Sequence, residues 1–198
     1  MKNITRKIEE YHKFSPLAMH ALKNEMQLLK LPKNTMLVTS GMVDDNVYFI
    51  EEGVTRSIFH KDALSTTTWF SMEGDITFGM YSLYHNQPSV ESVETLTDCT
   101  LYVIPIERLN HLYNTYIDIA NWGRILHQDV NRLMSHILVE RLKMSPDERY
   151  HCFLKHFPGL TNRIKLKYIA EFLGMSIYTL SRIRANKEMK IVATQCAD

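Results

Sequence analysis

The apolar positions of this 198-residue chain change period along its length. Over the first 26 or so residues they recur every three or four places. Ile4, Ile8, Tyr11 and Phe14 fall on one face, which predicts a helix, and Ser15-Pro16 opens a second short one. From Gln27 to Pro105 the period shortens. Runs rich in β-branched and aromatic residues, such as VYFIEEGVTRSIFH, TTTWFSMEGD and CTLYVIP, alternate with turn signals at Lys33-Asn34, Gly41, Glu52-Gly53, Glu73-Gly74-Asp75 and Thr97-Asp98. Many short strands at close spacing predict an antiparallel roll or barrel rather than a parallel sheet. After Pro105 the strand signals stop. Ile119, Trp122, Leu126, Val130, Leu133 and Ile137 step by 3, 4, 4, 3 and 4 residues, an apolar seam of coiled-coil spacing on a helix that runs to about Met144. Such a seam pairs with a second copy or packs on the chain's own roll. Ser145-Pro146-Asp147-Glu148 then reads as a stop and as the N-cap of the next helix, which Pro158-Gly159 ends.

The segment Leu166–Arg184, LKYIAEFLGMSIYTLSRIR, carries a denser pattern. Counted from Leu166, apolar residues stand at positions four (Ile169), eight (Leu173), ten (Met175), fifteen (Leu180) and eighteen (Ile183). Those positions bury between two crossing helices. Ala170 is small where the helices would approach, and Gly174 falls where the turn needs positive φ. This is the residue pattern of a helix-turn-helix, whose second helix enters the DNA major groove. An ordinary helical hairpin would also fit, and charge bears on the choice. From Arg141 onward there are 11 Lys/Arg and 5 Asp/Glu, a net of +6, which leaves −5 for the preceding 140 residues. A basic segment holding the motif, joined to an acidic one without it, is the footprint of a DNA-binding region.

Composition narrows the rest. At 45% apolar and 23% charged the chain reads as a soluble globular protein of one or two domains. Neither a membrane-spanning apolar run nor a secretory leader is expected. Cys99, Cys152 and Cys196 are far apart and odd in number, so neither a disulfide framework nor a zinc or iron–sulfur cluster is expected, and a reducing cytoplasm is the expected compartment.

A roll, a long seamed helix and a C-terminal helix-turn-helix, with the phrases VYFIEEGVTRSIF, FSMEGDITFG and RIKLKYIAEFLGMSIYTLSRIR, resemble the cyclic AMP receptor protein family of bacterial regulators. That family also includes the fumarate and nitrate reduction regulators. The resemblance implies an α+β fold in three parts. Residues 1–115 would form a cyclic-nucleotide-binding-like β-roll, 116–144 a central dimerisation helix, and 145–198 a helix-turn-helix DNA-binding domain. It also implies a homodimer on double-stranded DNA, with RNA polymerase as a candidate partner. The dimer seam would be Ile119, Trp122, Leu126, Val130, Leu133 and Ile137. Nucleotide-binding members carry a Gly-Glu pair whose Glu holds the ribose, followed by an Arg-Ser pair whose Arg meets the cyclic phosphate. Here the stretch is FGMYSLYHNQPSVES. Gly79 is kept, Met80 stands for the Glu, and Ser89 stands for the Arg with Val90 after it. A thioether cannot hold a ribose and a hydroxyl cannot offset a phosphate charge, so response to cyclic AMP is not expected. His85 is the nearest basic substitute, and Met80 and Tyr81 are candidates to fill the pocket themselves. The effector is unassigned.

Other chemistries fit less well. The family's iron–sulfur sensors use an N-terminal cysteine cluster, and the first cysteine here is Cys99. A haem would need an axial ligand, for which His60, His85, His111, His127 and His136 are available. A metal-dependent enzyme of roll fold would need an H-x-H pair, which is missing. No nucleophile–base pair, P-loop or dinucleotide fingerprint is found, so no catalytic, metal or cofactor residues are assigned. On the second helix of the motif, Ser176 is the expected N-cap, with Ile177, Tyr178, Ser181 and Arg182 toward DNA. Arg182 would read a guanine. Arg184 is turned about 200° away. Lys165, Lys167 and Lys187 are the expected phosphate contacts. Strands after the motif are expected to be short or missing. The competing reading is a roll that binds a small molecule or protein partner without binding DNA.

Overall fold

The structure, a computed structural model, describes residues 1–61 and 64–195, and the side chains of all these except 61 and 187–195. The chain divides into two compact units, Met1–Arg132 and Leu133–Asp198.

The first unit opens with α1 (Lys2–Tyr11) and α2 (Pro16–Glu25). Ile4 and Ile8 form the buried stripe of α1. Ser15 caps α2, its hydroxyl accepting from the Ala18 amide, with Pro16 in the first turn. The cap of α1 comes from far along the chain. The Glu51 carboxylate accepts from the amides of Lys2 (2.6 Å), Asn3 (3.2 Å) and Ile4 (3.2 Å). Partial burial opposes its charge, yet these amides hold its carboxyl below the usual range.

Eight strands follow, β1 (Gln27–Leu31), β2 (Met36–Val38), β3 (Asn46–Glu52), β4 (Thr55–Lys61), β5 (Leu64–Ser71), β6 (Ile76–Phe78), β7 (Glu91–Thr95) and β8 (Cys99–Pro105). They make two antiparallel sheets in the orders β1-β8-β3-β6 and β2-β7-β4-β5, the expected roll. Alternation along β3 divides its side chains between two cores. Tyr48 and Ile50 pack with Val38, Val93 and Leu101. Val47 and Phe49 pack with the helices. Two helical features went unread in the sequence. A short helix, α3 (Met80–His85), interrupts the strands and ends at Asn86, whose backbone is left-handed at φ 50°. The stretch after Pro105 is also two helices, α4 (Ile106–Thr115) and α5 (Ile117–Lys143), broken at the extended residue Tyr116.

The seam of α5 needs a correction. Ile119, Trp122 and Leu126 are 0%, 2% and 7% exposed, and they lie in the core formed by Ile4, Ile8, Phe14, Leu22, Phe49 and Leu109, with Val130 packed at its edge. Trp122 stacks on Phe49 at 5.7 Å and meets Phe14 edge-on at 6.3 Å. A side chain fully enclosed by its own roll offers nothing to a second copy. This half of the expected dimer seam is therefore core. Beyond Val130, Leu133 and Ile137 are half-buried, while Met134, Leu138 and Leu142 are exposed.

The second unit is helical. Ser145 and Glu148 form a capping box at the start of α6 (Pro146–His156). Phe153 of α6 and Phe157 just after it pack on Phe172 of α7 (Leu166–Leu173), with ring centroids 5.7 and 5.5 Å from that of Phe172. Arg141 donates to the Phe172 carbonyl and lies 5.5 Å from its ring centroid, meeting one of the carbonyls that a helix end leaves open. The final helix, α8 (Ile177–Gln195), continues through the stretch where wing strands would stand, so no strand follows α7 among the described residues. No helix among the described residues is long and apolar enough to cross a membrane.

Candidate nucleic-acid interface and effector pocket

The turn between α7 and α8 is built as its residues require. Gly174 sits at φ +63°, a left-handed conformation that costs a side-chain-bearing residue energy, and its amide bonds the Glu171 carbonyl at 3.1 Å. The Met175 amide reaches the Ala170 carbonyl at 3.0 Å, closing the helix end. Ser176 caps α8, its hydroxyl accepting from the Thr179 amide at 3.0 Å. Ile169, Ala170, Leu173, Leu180 and Ile183 are buried, as the spacing requires for two crossed helices, whereas Met175 in the turn is only half-buried.

The opposite face of α8 is left open. Ile177 and Tyr178 are 42% and 85% exposed, and Ser181 and Arg182 are exposed beside them. Their spacing of i, i+1, i+4 and i+5 puts all four on one stripe. Arg182 has no carboxylate partner among the described residues. Arg184, two places on, is half-buried. Lys165 stands at the N-cap of α7 with its ammonium 6.0 Å from the Tyr168 ring centroid. Lys167 is also exposed, 3.8 Å from the Glu171 carboxylate. The side chain of Lys187 lies outside the described residues. What the stripe can do is hydrogen-bond and pack on a partner of negative charge, with a tyrosine ring and an aliphatic group beside the guanidinium.

In the roll, the altered stretch surrounds α3. Gly79 caps α3, and a Cβ there would stand 3.2 Å from both the Ser82 hydroxyl and the Val38 side chain. Met80 and Tyr81 are exposed, so they do not fill the interior as the sequence suggested. His85 is exposed as well, its ring 5.7 Å from that of Tyr81. Ser89 is buried, and its hydroxyl is occupied by the backbone of Glu91. It donates to the Glu91 carbonyl at 2.8 Å and accepts from the Glu91 amide at 3.3 Å. Val90 is exposed.

Sequence reasoning missed two residues here. The Glu91 carboxylate accepts from the Met80 amide at 3.4 Å. Burial pushes its carboxyl up from the usual range, and that amide pulls it partly back. No ion pair among the described residues involves it. Its place two residues after Ser89, on the β7 face that also carries Val93, was the available signal. Tyr84 is the other. Its hydroxyl lies 3.1 Å from Nδ1 of His127 on α5, and it packs edge-on against Phe78 at 5.9 Å. Burial holds His127 below the usual histidine range. Of the five histidines considered as haem ligands, His60, His85, His111 and His136 are exposed, and His127 has this tyrosine as its partner. Among the described residues no group of three His, Cys, Asp or Glu side chains is arranged to hold a metal ion.

Residues 28–116 match the family described as the cyclic nucleotide-binding domain. Among solved structures, FixK2 from Bradyrhizobium japonicum is similar at a TM-score of 0.72 and 15% identity, over 83% of this chain and 85% of that one. A double mutant of CooA from Carboxydothermus hydrogenoformans is similar at a TM-score of 0.69 and 16% identity, over 96% and 86%. The c-di-GMP-responsive global regulator CLP from Xanthomonas campestris gives 0.66 and 17%, over 89% and 93%. No curated protein matches the sequence. At these identities the structural likeness speaks for the fold, and it bears out the resemblance carried by the sequence phrases.

Proposed function

We propose that this chain, whose residues 28–116 match the cyclic nucleotide-binding domain family and whose fold is that of the CRP/FNR transcription regulators, is a dimeric, sequence-specific DNA-binding regulator that does not respond to cyclic AMP. One observation carries the reading. The α8 stripe of Ile177, Tyr178, Ser181 and Arg182 is open, and its guanidinium has no carboxylate partner among the described residues. In this reading Arg182 meets a guanine, Ile177 packs on a thymine methyl, and Lys165, Lys167 and Lys187 meet phosphates. The working parts are a roll at 1–115, a dimerisation helix at 116–144 and a DNA-binding domain at 145–198. RNA polymerase is a candidate partner, and the compartment is the cytoplasm, in keeping with the free thiols of Cys99 and Cys152.

Dimerisation then falls to the second half of α5. Met134, Leu138 and Leu142 stand at i, i+4 and i+8 and are 47%, 57% and 71% exposed. Leu133 and Ile137 flank them. The pocket supports the claim about cyclic AMP, because Met80 points outward and the Ser89 hydroxyl is already taken. A regulatory rather than catalytic role agrees with the family matched. Selection of bound sequences from random duplex DNA tests the proposal. Wild type should select a two-fold symmetric site, and Arg182→Ala should lose roughly 1–3 kcal/mol and its preference at one base pair per half-site. Identical selections and affinities for the two proteins would overturn the groove assignment.

A further inference from the structure

Losing an arginine removes an attraction for phosphate, but the structure shows more than a loss. The chain enters β7 through a tightly held segment. The Gly41 amide donates to the Ser89 carbonyl at 2.8 Å, and the Ser89 amide donates to the Met42 carbonyl at 2.9 Å. The Ser89 hydroxyl is closed on the Glu91 backbone from both sides. With its neighbours fixed, the Glu91 carboxylate lies against the Met80 amide, half-buried and with no cation beside it among the described residues. By the resemblance described above, Met80 and Ser89 occupy the two positions that would hold a cyclic nucleotide. The Glu91 carboxylate therefore lies beside the first of them, at the Met80 amide.

We propose that Glu91 determines the charge preference of this pocket, its carboxylate rejecting cyclic phosphates and other anions. The inference rests on the reading of residues 79–92 as an altered ligand cassette. Two like charges held near each other, at the effective dielectric of a partly buried site, disfavour each other by roughly tenfold or more in affinity. Rejection of anions by Glu91 is a separate effect from the missing arginine. An arginine restored at position 89 would be drawn to Glu91 and lost to the ligand.

Calorimetric titration with cyclic AMP of four proteins separates these effects: wild type, Glu91→Gln, Met80→Glu/Ser89→Arg, and Met80→Glu/Ser89→Arg/Glu91→Gln. Glutamine keeps the volume and an acceptor for the Met80 amide while removing the charge. The triple variant should bind at least about tenfold more tightly than the double, and wild type should show no binding. Equal affinity in double and triple, or no binding by either while both keep the wild-type melting temperature, would overturn the role of Glu91. Tight binding by wild type would instead overturn the reading of the pocket. Should the double variant fail to fold, Glu91→Lys serves in its place. Cyclic AMP should then raise the melting temperature of Glu91→Lys and leave that of wild type unchanged, and an unmoved Glu91→Lys would overturn the inference.

Discussion

The two halves of α5 both carry apolar residues at helical spacing and differ in what covers them. In the first half Ile119, Trp122 and Leu126 are enclosed by the roll, whereas in the second Leu138 and Leu142 stand more than half exposed. Periodicity states that a helix has an apolar side; it does not state what covers that side. The difference is visible in residue type. A tryptophan at position 122, flanked by Gly123 where any Cβ would stand 2.8 Å from the Tyr113 ring, belongs to a fitted interior. The second half has aliphatic residues and one methionine, Met134, a surface that can meet another helix without a matched cavity.

Mutation can break or sharpen that comparison. The largest effect is expected at Trp122→Ala, which removes a ring stacked on Phe49 and should cost about 3–5 kcal/mol, read as a large drop in melting temperature. A small change there would mean that the first half of α5 is not core. Next, Leu138→Glu/Leu142→Glu should leave each subunit's helical circular dichroism intact while halving the mass by light scattering. Unchanged mass would show that the exposed half is not the seam. A carboxylate at Leu126 would not make this distinction, because it would be buried in the roll and unfold it.

The smallest effect concerns His127, again in the first half. Its folded pKa is lowered by burial from 6.5, so the unfolded chain binds the proton more readily. Its contribution to stability is complete above about pH 6.5 and is lost as pH falls from there toward the lowered folded value. The melting temperature of wild type should therefore fall more between about pH 7.5 and about pH 5.5 than that of His127→Gln. Parallel profiles would show that the Tyr84–His127 contact does not shield the ring.

Much of the architecture was legible because it is written in local chemistry. Ser15-Pro16 and the Ser145–Glu148 box announce helix starts, Gly174 announces a turn, and the β-branched runs announce strands that pair as expected. What stayed hidden depends on partners distant in sequence. The helix α3 has only six residues, too few to show a period, and Tyr116 breaks a helical stretch with neither glycine nor proline. Met80 and Ser89 could be weighed one at a time as replacements, yet the role of Glu91 emerges only when β7 is laid beside α3. For the α8 stripe the sequence and the structure agree on what is buried and what is open, since both follow from one helical period.

The cap on α1 ties the order of synthesis to the order of folding. Lys2, Asn3 and Ile4 are translated well before the carboxylate that satisfies their amides, which follows 49, 48 and 47 residues later. Until β3 has been made, α1 has an open end and no strand to bury Ile4 and Ile8 against. The helix α1 thus waits for the middle of the roll, and the roll core also draws on Ile119, Trp122 and Leu126 from much later in the chain. A nascent chain released or cleaved before α5 would display an apolar surface at both places, which makes the completed roll an all-or-nothing product of synthesis rather than a domain assembled strand by strand.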